Sequence, residues 1–366
     1  DPDSIELSTL GGWIATNASG MKKNRYGNIE DIVVEATLVA PTGEVEALHA
    51  TPRNSVGVQP RGLLFGSEGN FGIITKAVIK IHPQPEVRQY DAVVFKDFAR
   101  GVDFLKALRQ AGSLPASIRL VNNNEMRFGR ALRPAATGFK HYKAKFEHFL
   151  LHKVKGFDPM QMVGCTVVME GSADEVAHQK GMIDKLAKRY GGLSVGASIG
   201  KRGYMLTFGI AYIRDFMNQF SFLGETFETS VPWSRIHDVT QAVAERLPLE
   251  CEISGVEGRP FLAYRVTQTY HTGVCIYFMM AFSGRGLAQP IEVYNDIEHK
   301  LRQTILDHGG SLSHHHGVGK KRQDFMRQVQ SGNSIEVLRK TKQAMDPGNV
   351  FAIRNGIFTD RESGGD

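Results

Sequence analysis

The sequence predicts an α+β protein with two domains, on three observations. The chain has 366 residues, which is long enough for two domains of roughly 150 residues each. Hydrophobic residues make up 42% of it and charged residues 22%, which is the composition of a folded globular protein. Strand patterns with glycine turns fill residues 1–85, whereas strand-like and helix-like segments alternate over residues 86–310.

The first region predicts strands joined by glycine turns. An apolar, β-branched run over residues 32–40 is followed by the turn Pro41-Thr42-Gly43 and by residues 44–49, which predicts a hairpin. A further strand is predicted over residues 71–83. It ends at His82-Pro83-Gln84-Pro85, because proline lacks the N–H that a strand needs and restricts the residue before it. We therefore expect a domain boundary at residue 85.

The second region predicts an antiparallel sheet with helices packed on one face. Ser172 and Glu175 form a capping box at the start of one helix, and Gly191-Gly192 ends it. A helix-rich segment over residues 320–345 follows and stops at Asp346-Pro347, which gives three predicted segments: 1–85, 86–319 and 320–366. The strands are predicted at residues 90–95, 116–121, 167–169, 261–269 and 274–282, and the other helices at residues 98–110 and 297–305.

Charge and cysteine content narrow the class of function. The formal net charge of +6 is spread along the chain, so it suits a small anionic substrate and does not indicate nucleic-acid binding. Cys165, Cys251 and Cys275 form no C-x-x-C or zinc pattern, so we expect no metal site and a reducing compartment. The longest apolar run, residues 274–282, is too short to cross a bilayer.

Two glycine-containing segments are candidate cofactor contacts. They cover residues 16–20 and 67–74, where glycine lets the backbone approach a ligand and present free N–H groups. A simple turn before a strand is the alternative for each. Neither segment is a G-x-G-x-x-G motif between a strand and a helix, which disfavours a Rossmann nicotinamide site.

The three consecutive histidines His314, His315 and His316 are a second candidate site. They precede Gly317-Val318-Gly319, and we call residues 313–320 the His loop. Adjacent side chains do not share a face, so one metal ion is not expected to take all three. Proton transfer or recognition of an anion fits them better. The alternative is a solvated loop.

Single polar residues in apolar surroundings are the third set of candidates. Tyr277 lies between apolar residues of a predicted strand and is either core or an acid/base. Arg214 needs an anionic partner, which is either its neighbour Asp215 or a substrate phosphate. Arg119, in another predicted strand, poses the same question.

Further motifs extend along the chain, namely Gly11-Gly12-Trp13, residues 16–24 and 26–31, Lys155-Gly156-Phe157-Asp158-Pro159, residues 224–230, Arg265-Val266-Thr267-Gln268-Thr269-Tyr270 and the His loop. Together they resemble the alkyldihydroxyacetonephosphate synthase family of vanillyl-alcohol-oxidase-type flavoproteins. The match covers nearly the whole chain. The family's earlier glycine-rich loop, which holds the FAD pyrophosphate, is not found, so we expect a carboxy-terminal fragment that binds FAD weakly by itself.

The resemblance implies domains and residue roles. Residues 1–85 would be the later part of the FAD-binding domain, residues 86–319 a cap domain that binds substrate, and residues 320–366 a helical segment returning to the FAD domain. Tyr277, His314, His315, His316 and Arg119 would be catalytic, and Arg214 would bind the substrate phosphate. The implied FAD contacts are Asp3, Ser4, Ile5, Glu6, Leu7, Ser8, Thr9, Thr16, Asn17, Ala18, Ser19, Glu68, Gly69, Asn70, Phe71, Gly72, Ile73 and Ile74.

The family's activity is the expected function. The family exchanges the acyl group of acyl-dihydroxyacetone phosphate for a long-chain fatty alcohol, through a covalent adduct at flavin N5 and without net redox change. The resemblance also implies peripheral membrane association, a homodimer and a peroxisomal location, although the last residues are not a Ser-Lys-Leu-type signal. Two alternatives stay open, namely an FAD-linked D-2-hydroxy-acid dehydrogenase of the lactate or glycolate type and an inert fragment.

Overall fold

The computed structural model describes residues 5–132 and 155–359. The chain divides into two compact units, which we treat separately. Unit 1 comprises Asp1–Pro83 and Leu312–Asp366, and unit 2 comprises Gln84–Ser311. The first boundary lies two residues before the predicted one. The second lies before the His loop rather than after it, so the loop belongs to unit 1.

The described strands and helices have the following bounds. The strands are β1 (Val33–Ala40), β2 (Gly43–Val45), β3 (Ile73–Ile79), β4 (Val87–Phe95), β5 (Ser117–Val121), β6 (Val163–Gly171), β7 (Leu193–Ser194), β8 (Phe222–Pro232), β9 (Phe261–Thr269) and β10 (Gly273–Ser283). The helices are α1 (Leu10–Ala15), α2 (Lys23–Tyr26), α3 (Ile29–Ile32), α4 (Phe98–Ala111), α5 (Asn123–Ala131), α6 (Ala173–Arg189), α7 (Ala197–Leu206), α8 (Ile210–Asn218), α9 (Ile236–Ile253), α10 (Pro290–Asp307), α11 (Met326–Val329) and α12 (Gly332–Met345). Among these described helices, none has the length and apolar character needed to span a bilayer.

Unit 1 contains a small antiparallel sheet in the order β2-β1-β3. The predicted hairpin is present, although β2 is only three residues long. The third strand, predicted from residue 71, begins at Ile73. Phe71 is buried in the core. Gly72 lies so close to Val39 that a Cβ on it would be 2.3 Å from the Val39 carbonyl oxygen. Ile14 and Leu38, both fully buried, join α1 to the sheet in one core.

Asp346 closes the end of α12 in unit 1. Its carboxylate accepts hydrogen bonds from the backbone N–H groups of Val350 and Phe351, both at 2.8 Å, and pairs with the ammonium of Lys342. Burial by itself raises the pKa of Asp346, but Lys342 and the two N–H donors outweigh burial and hold that pKa below its usual value. The predicted helix stop at Asp346-Pro347 is thus a charged C-terminal anchor.

We expect Asp346→Asn to lower the free energy of unfolding by roughly 1–3 kcal/mol at pH 7, because Lys342 loses its counter-charge. A carboxyl group with a lowered folded-state pKa stabilises the fold above its unfolded pKa of about 3.9. That stabilisation is lost as the pH falls through the folded-state pKa. Denaturant titrations should therefore show a smaller difference in the free energy of unfolding between parent and Asp346→Asn at pH 3 than at pH 7. The control is Glu336→Gln in the exposed Lys340–Glu336 pair, which should change stability by less than about 0.5 kcal/mol.

Unit 2 is built on a sheet whose seven described strands follow the order β7-β4-β6-β5-β9-β10-β8, with antiparallel pairing throughout. The predicted β9–β10 pairing and the capping box of Ser172 and Glu175 are both present. Helices cover both faces, whereas the sequence predicted one. Gly101 of α4 lies against Leu120, and Gly203 of α7 lies against Thr166, which pairs with Arg119. Since consecutive strand residues point to opposite faces, α4 and α7 lie on opposite sides.

Candidate functional site

The three predicted cofactor segments of unit 1 meet around the short helix α1. Thr9 caps this helix, its hydroxyl accepting a hydrogen bond from the Gly12 N–H at 3.1 Å. At the other end, the Glu68 N–H donates to the carbonyl of Ala15 at 2.8 Å. The predicted contacts Asp3 and Ser4 lie outside the described residues. The remaining predicted residues therefore lie on chain segments that border one helix.

This region has polar groups and open space that fit part of an FAD molecule. Asn17, Glu68 and Gly69 have φ values of 51°, 46° and 78°, in the left-handed region. Nothing lies within 4 Å of the position where a Cβ of Gly69 would stand. The hydroxyl oxygen of Ser67 is buried and has no hydrogen-bond partner among the described residues. Because a buried hydroxyl without a partner is costly, a polar ligand beside this turn would stabilise it.

Several predicted FAD contacts have structural partners of their own. Asn70 is buried and accepts a hydrogen bond from the N–H of Asn355 at 3.3 Å. Phe71 stacks edge-on against Phe358, with ring centroids 5.3 Å apart. Ile73, in contrast, is 60% exposed. A cofactor role for these side chains stays a prediction.

Glu68 ties the His loop to the cofactor segment. Its carboxylate accepts hydrogen bonds from the N–H groups of Val318 at 2.6 Å and Gly319 at 2.8 Å. Gly317 has a φ of 75°, and a Cβ there would lie 2.5 Å from the same carboxylate. The Gly-Val-Gly sequence therefore allows the loop to close on Glu68. This contact, between residues 250 positions apart, explains why the loop belongs to unit 1.

Two histidines of the loop share a hydrogen bond. The Nδ1 atoms of His314 and His315 are 2.8 Å apart, so one Nδ1 carries a proton and the other accepts it. The His315 and His316 rings contact each other edge-on at 4.6 Å. The three side chains thus form one packed row.

We expect Glu68→Gln to loosen the His loop, because an amide cannot accept two hydrogen bonds with the strength of a carboxylate. The backbone amides of Val318 and Gly319 should then exchange with solvent about 10-fold faster or more. Hydrogen-exchange mass spectrometry of a peptide that covers residues 312–325 measures this change. Glu44→Gln, on the exposed strand β2, is the matched control. Unchanged exchange in Glu68→Gln would mean that the carboxylate does not hold the loop.

In unit 2, the candidates Tyr277 and Arg119 share one polar face of the sheet. Tyr277 of β10 lies opposite Arg265 of β9 and opposite Glu228 of β8, and Arg265 in turn lies opposite Val121 of β5. Arg119, two residues before Val121, points to the same side. The other face carries the apolar core, which includes Leu120, Val266 and Phe278. The alternation of the strands thus separates a face with polar side chains from the face that carries the apolar core.

Tyr277 is 8% exposed and has a polar neighbour at its hydroxyl. The phenol donates a hydrogen bond to the hydroxyl oxygen of Thr226 at 2.9 Å. Thr226 lies on β8 beside Glu225, whose carboxylate accepts from the Thr226 N–H at 3.0 Å. Sequence reasoning proposed either a core residue or an acid/base. The structure shows a tyrosine that is largely buried yet engaged through its hydroxyl.

Arg214 on α8 is held by carboxylates in the structure. Its Nη1 donates to Glu225 at 3.0 Å, and its Nε and Nη2 both donate to one oxygen of Asp215 at 3.2 Å. Its side chain is 40% exposed. The Asp215 pairing that the sequence left open is present, and Glu225 is a further partner. An incoming anion would have to compete with these carboxylates for the guanidinium.

Arg119 is buried on the polar face and donates a hydrogen bond to the hydroxyl of Thr207, just after α7. Burial raises the pKa of the nearby Tyr204 to about 12, and Arg119 partly offsets this rise. Arg119 therefore helps to hold the α7 end against β5. A catalytic role for it stays a prediction.

The family is decided by a match to the larger part of the chain. Residues 84–354 match the family model described as FAD linked oxidases, C-terminal domain, and residues 1–49 match the FAD binding domain model. The chain belongs to the FAD-linked oxidase family. FAD is therefore its cofactor, as the sequence predicted.

Individual proteins are similar to this chain along most of this chain's length. Alkyldihydroxyacetonephosphate synthase of Caenorhabditis elegans is 41% identical over 358 residues, 98% of this chain and 60% of the relative. The enzyme of that name from Dictyostelium discoideum is 31% identical over 99% of this chain and 59% of its own length. A solved alkyldihydroxyacetonephosphate synthase structure has a TM-score of 0.77 at 27% identity and covers 95% of this chain and 59% of its own.

These findings confirm the predicted resemblance and the predicted α+β fold. The chain spans about 60% of the length of the synthases that it matches. The candidates also have neighbours that sequence reasoning did not single out, namely Glu125, Arg265, Thr226 and Glu225. Arg265 has a local sequence signal, which is a charge inside a predicted strand of mostly apolar residues.

Proposed function

We propose that the chain takes part in alkyldihydroxyacetonephosphate synthesis, the step that forms the ether bond of ether lipids. The observation that carries this proposal is the 41% identity to a synthase over 98% of the chain. In the reaction, the C1–O bond to the acyl group breaks and a C1–O bond to the alkyl group forms. The fatty acid and the alkyl product leave, and the alcohol proton balances the equation.

Arg214 supports the binding of a phosphate-bearing substrate. Its planar guanidinium can form two parallel hydrogen bonds to a phosphate, which carries more charge than either carboxylate that now holds it. Phosphate binding would release Glu225, which also accepts from the Thr226 backbone. In this proposal, Arg214 fixes one end of the substrate.

Tyr277 supports proton transfer at C1. Bound FAD supplies an electron-poor ring that assists the exchange at C1 without a net change of redox state. In its deprotonated form Tyr277 takes the C1 proton, becomes the neutral phenol and later returns the proton, because this group can act in both directions. Thr226 suits this task, since its hydroxyl accepts from the neutral phenol and can donate to the charged one. His314, His315 and His316 complete the proposal as a row that holds protons.

The test uses the FAD-loaded protein with acyl-dihydroxyacetone phosphate and a radiolabelled long-chain alcohol. After borohydride reduction of the ketone, we expect label in a lipid that survives alkaline hydrolysis, because an ether resists base and an ester does not. One fatty acid should leave for each ether formed. Bleaching of the flavin by D-lactate or glycolate, without ether formation, would instead support the dehydrogenase alternative.

The same resemblance supports a peroxisomal location, contact with a membrane surface and a homodimer. We include these as parts of the proposal. Vesicle flotation and light scattering of the FAD-loaded protein test the last two.

A further inference from the structure

We propose that Arg265, held in place by Glu125, is a positioning residue that orients Tyr277 and stabilises its negatively charged form during proton transfer. The inference rests on the acid/base role proposed above for Tyr277. It concerns a buried charge pair that this role alone does not explain.

A β-bulge creates the Arg265–Tyr277 pairing. Before the bulge, Cys275 of β10 lies opposite Gln268 of β9, and after it Ile276 lies opposite Val266. Without this shift, Tyr277 would lie opposite Val266 and Arg265 would lie one position away. Bulges re-aim side chains in this manner and occur beside active sites. The bulge therefore brings a cation to the tyrosine.

The guanidinium of Arg265 lies over the ring of Tyr277. Its central carbon is 4.5 Å from the ring centroid, within the range of a cation–π contact. Arg265 is 4% exposed, so little water screens this contact. When the phenol has given up its proton, the negative charge spreads onto the ring. The contact then becomes an attraction between opposite charges.

Glu125 holds the guanidinium from the other side. Its Oε1 lies 2.5 Å from Nη1 of Arg265. Glu125 itself is buried in the first turn of α5. Asn122 caps this turn by accepting from the Glu125 N–H at 3.0 Å. The guanidinium of this long, flexible side chain is thus held between the Glu125 carboxylate and the Tyr277 ring. Such fixing is what a positioning residue needs, because small displacements slow proton transfer.

A second acidic side chain lies on the same face of the sheet. Glu228, fully buried, lies directly opposite Tyr277 on β8. A negatively charged Tyr277 would lie beside this carboxyl group on one strand and beside Arg265 on the other. Arg265 therefore supplies the opposite charge on that face of the sheet.

A pair of variants separates the effect of the Arg265 charge on turnover from its effect on stability. Arg265→Met leaves Glu125 buried without a counter-charge and should destabilise the protein, whereas adding Glu125→Gln removes both charges and should restore stability. We expect kcat to stay about 10²-fold below the parent in the double variant, with KM and FAD content unchanged. Arg265→Lys keeps the cation and should recover most of this loss. Recovery of the parent kcat in the double variant would overturn the proposal, as would Arg265→Lys being no faster than Arg265→Met.

Tyr277→Phe distinguishes the failure of this inference from the failure of the proposed function. If Tyr277→Phe keeps the parent kcat, the acid/base role itself is wrong. If Tyr277→Phe is slow and the double variant at residues 125 and 265 is fast, only the positioning role is wrong. We expect the double variant to add little to the loss in a Tyr277→Phe background, because the groups act as one unit.

Discussion

Tyr277→Phe is expected to lower kcat by roughly 10²–10⁴-fold, the usual effect of removing a positioned acid/base. The substitution removes the hydroxyl that donates to Thr226 and keeps the ring that Arg265 covers. KM and FAD content should therefore change little. The most direct measurement is release of tritium from C1 of the substrate to solvent, with no fatty alcohol present.

Tyr264→Phe is the matched control for this result. Tyr264 lies on β9, and burial raises the pKa of its phenol, but it pairs with Phe278 and points to the apolar face. Removing the Tyr264 hydroxyl should lower the free energy of unfolding by about 1 kcal/mol, the usual scale of one hydrogen bond, and should leave kcat unchanged. Tritium release at the parent rate in Tyr277→Phe would exclude Tyr277 as the base, and the histidines would be tested next.

Local patterns predicted much of the fold. The capping box of Ser172 and Glu175 and the β9–β10 pairing depend on residues close together in sequence, and both are present. The proline-containing segment of residues 82–85 predicted the first boundary of unit 1 to within two residues. The side of the sheet that helices cover was harder to predict. A five-residue strand such as β5, which alternates Leu120 with Arg119, can be covered on both faces.

The contacts that organise the candidate site carry no local signal. Glu68 meets Gly319 across 251 positions, and Arg265 meets Glu125 across 140. Each pairing depends on how strands and loops come together, which no short pattern records. The β-bulge is similar, because one extra residue on β9 decides whether Tyr277 lies opposite a valine or an arginine. The sequence therefore singles out candidate side chains, whereas their partners are visible only in the folded chain.

Arg214→Lys is expected to lower kcat/KM by about 10²-fold, mainly through a higher KM, because lysine loses the planar fork that binds a phosphate in two places. The charge is kept, so a general electrostatic effect should be small. Inorganic phosphate should also inhibit the parent more strongly than the variant. Arg235→Lys is the matched control, since Arg235 is an exposed residue of the same unit that pairs with Asp238.

The carboxylates that pair with Arg214 provide a second test of phosphate binding. If phosphate competes with Glu225 for the guanidinium, then Glu225→Gln should weaken the competitor and lower the KM for substrate while Arg214 is present. The same change in an Arg214→Lys background should have a smaller effect, because the fork that benefits is gone. If Arg214 only pairs with Asp215 and Glu225, neither substitution changes KM. Its role would then be to hold α8 against β8, and the phosphate site would lie elsewhere.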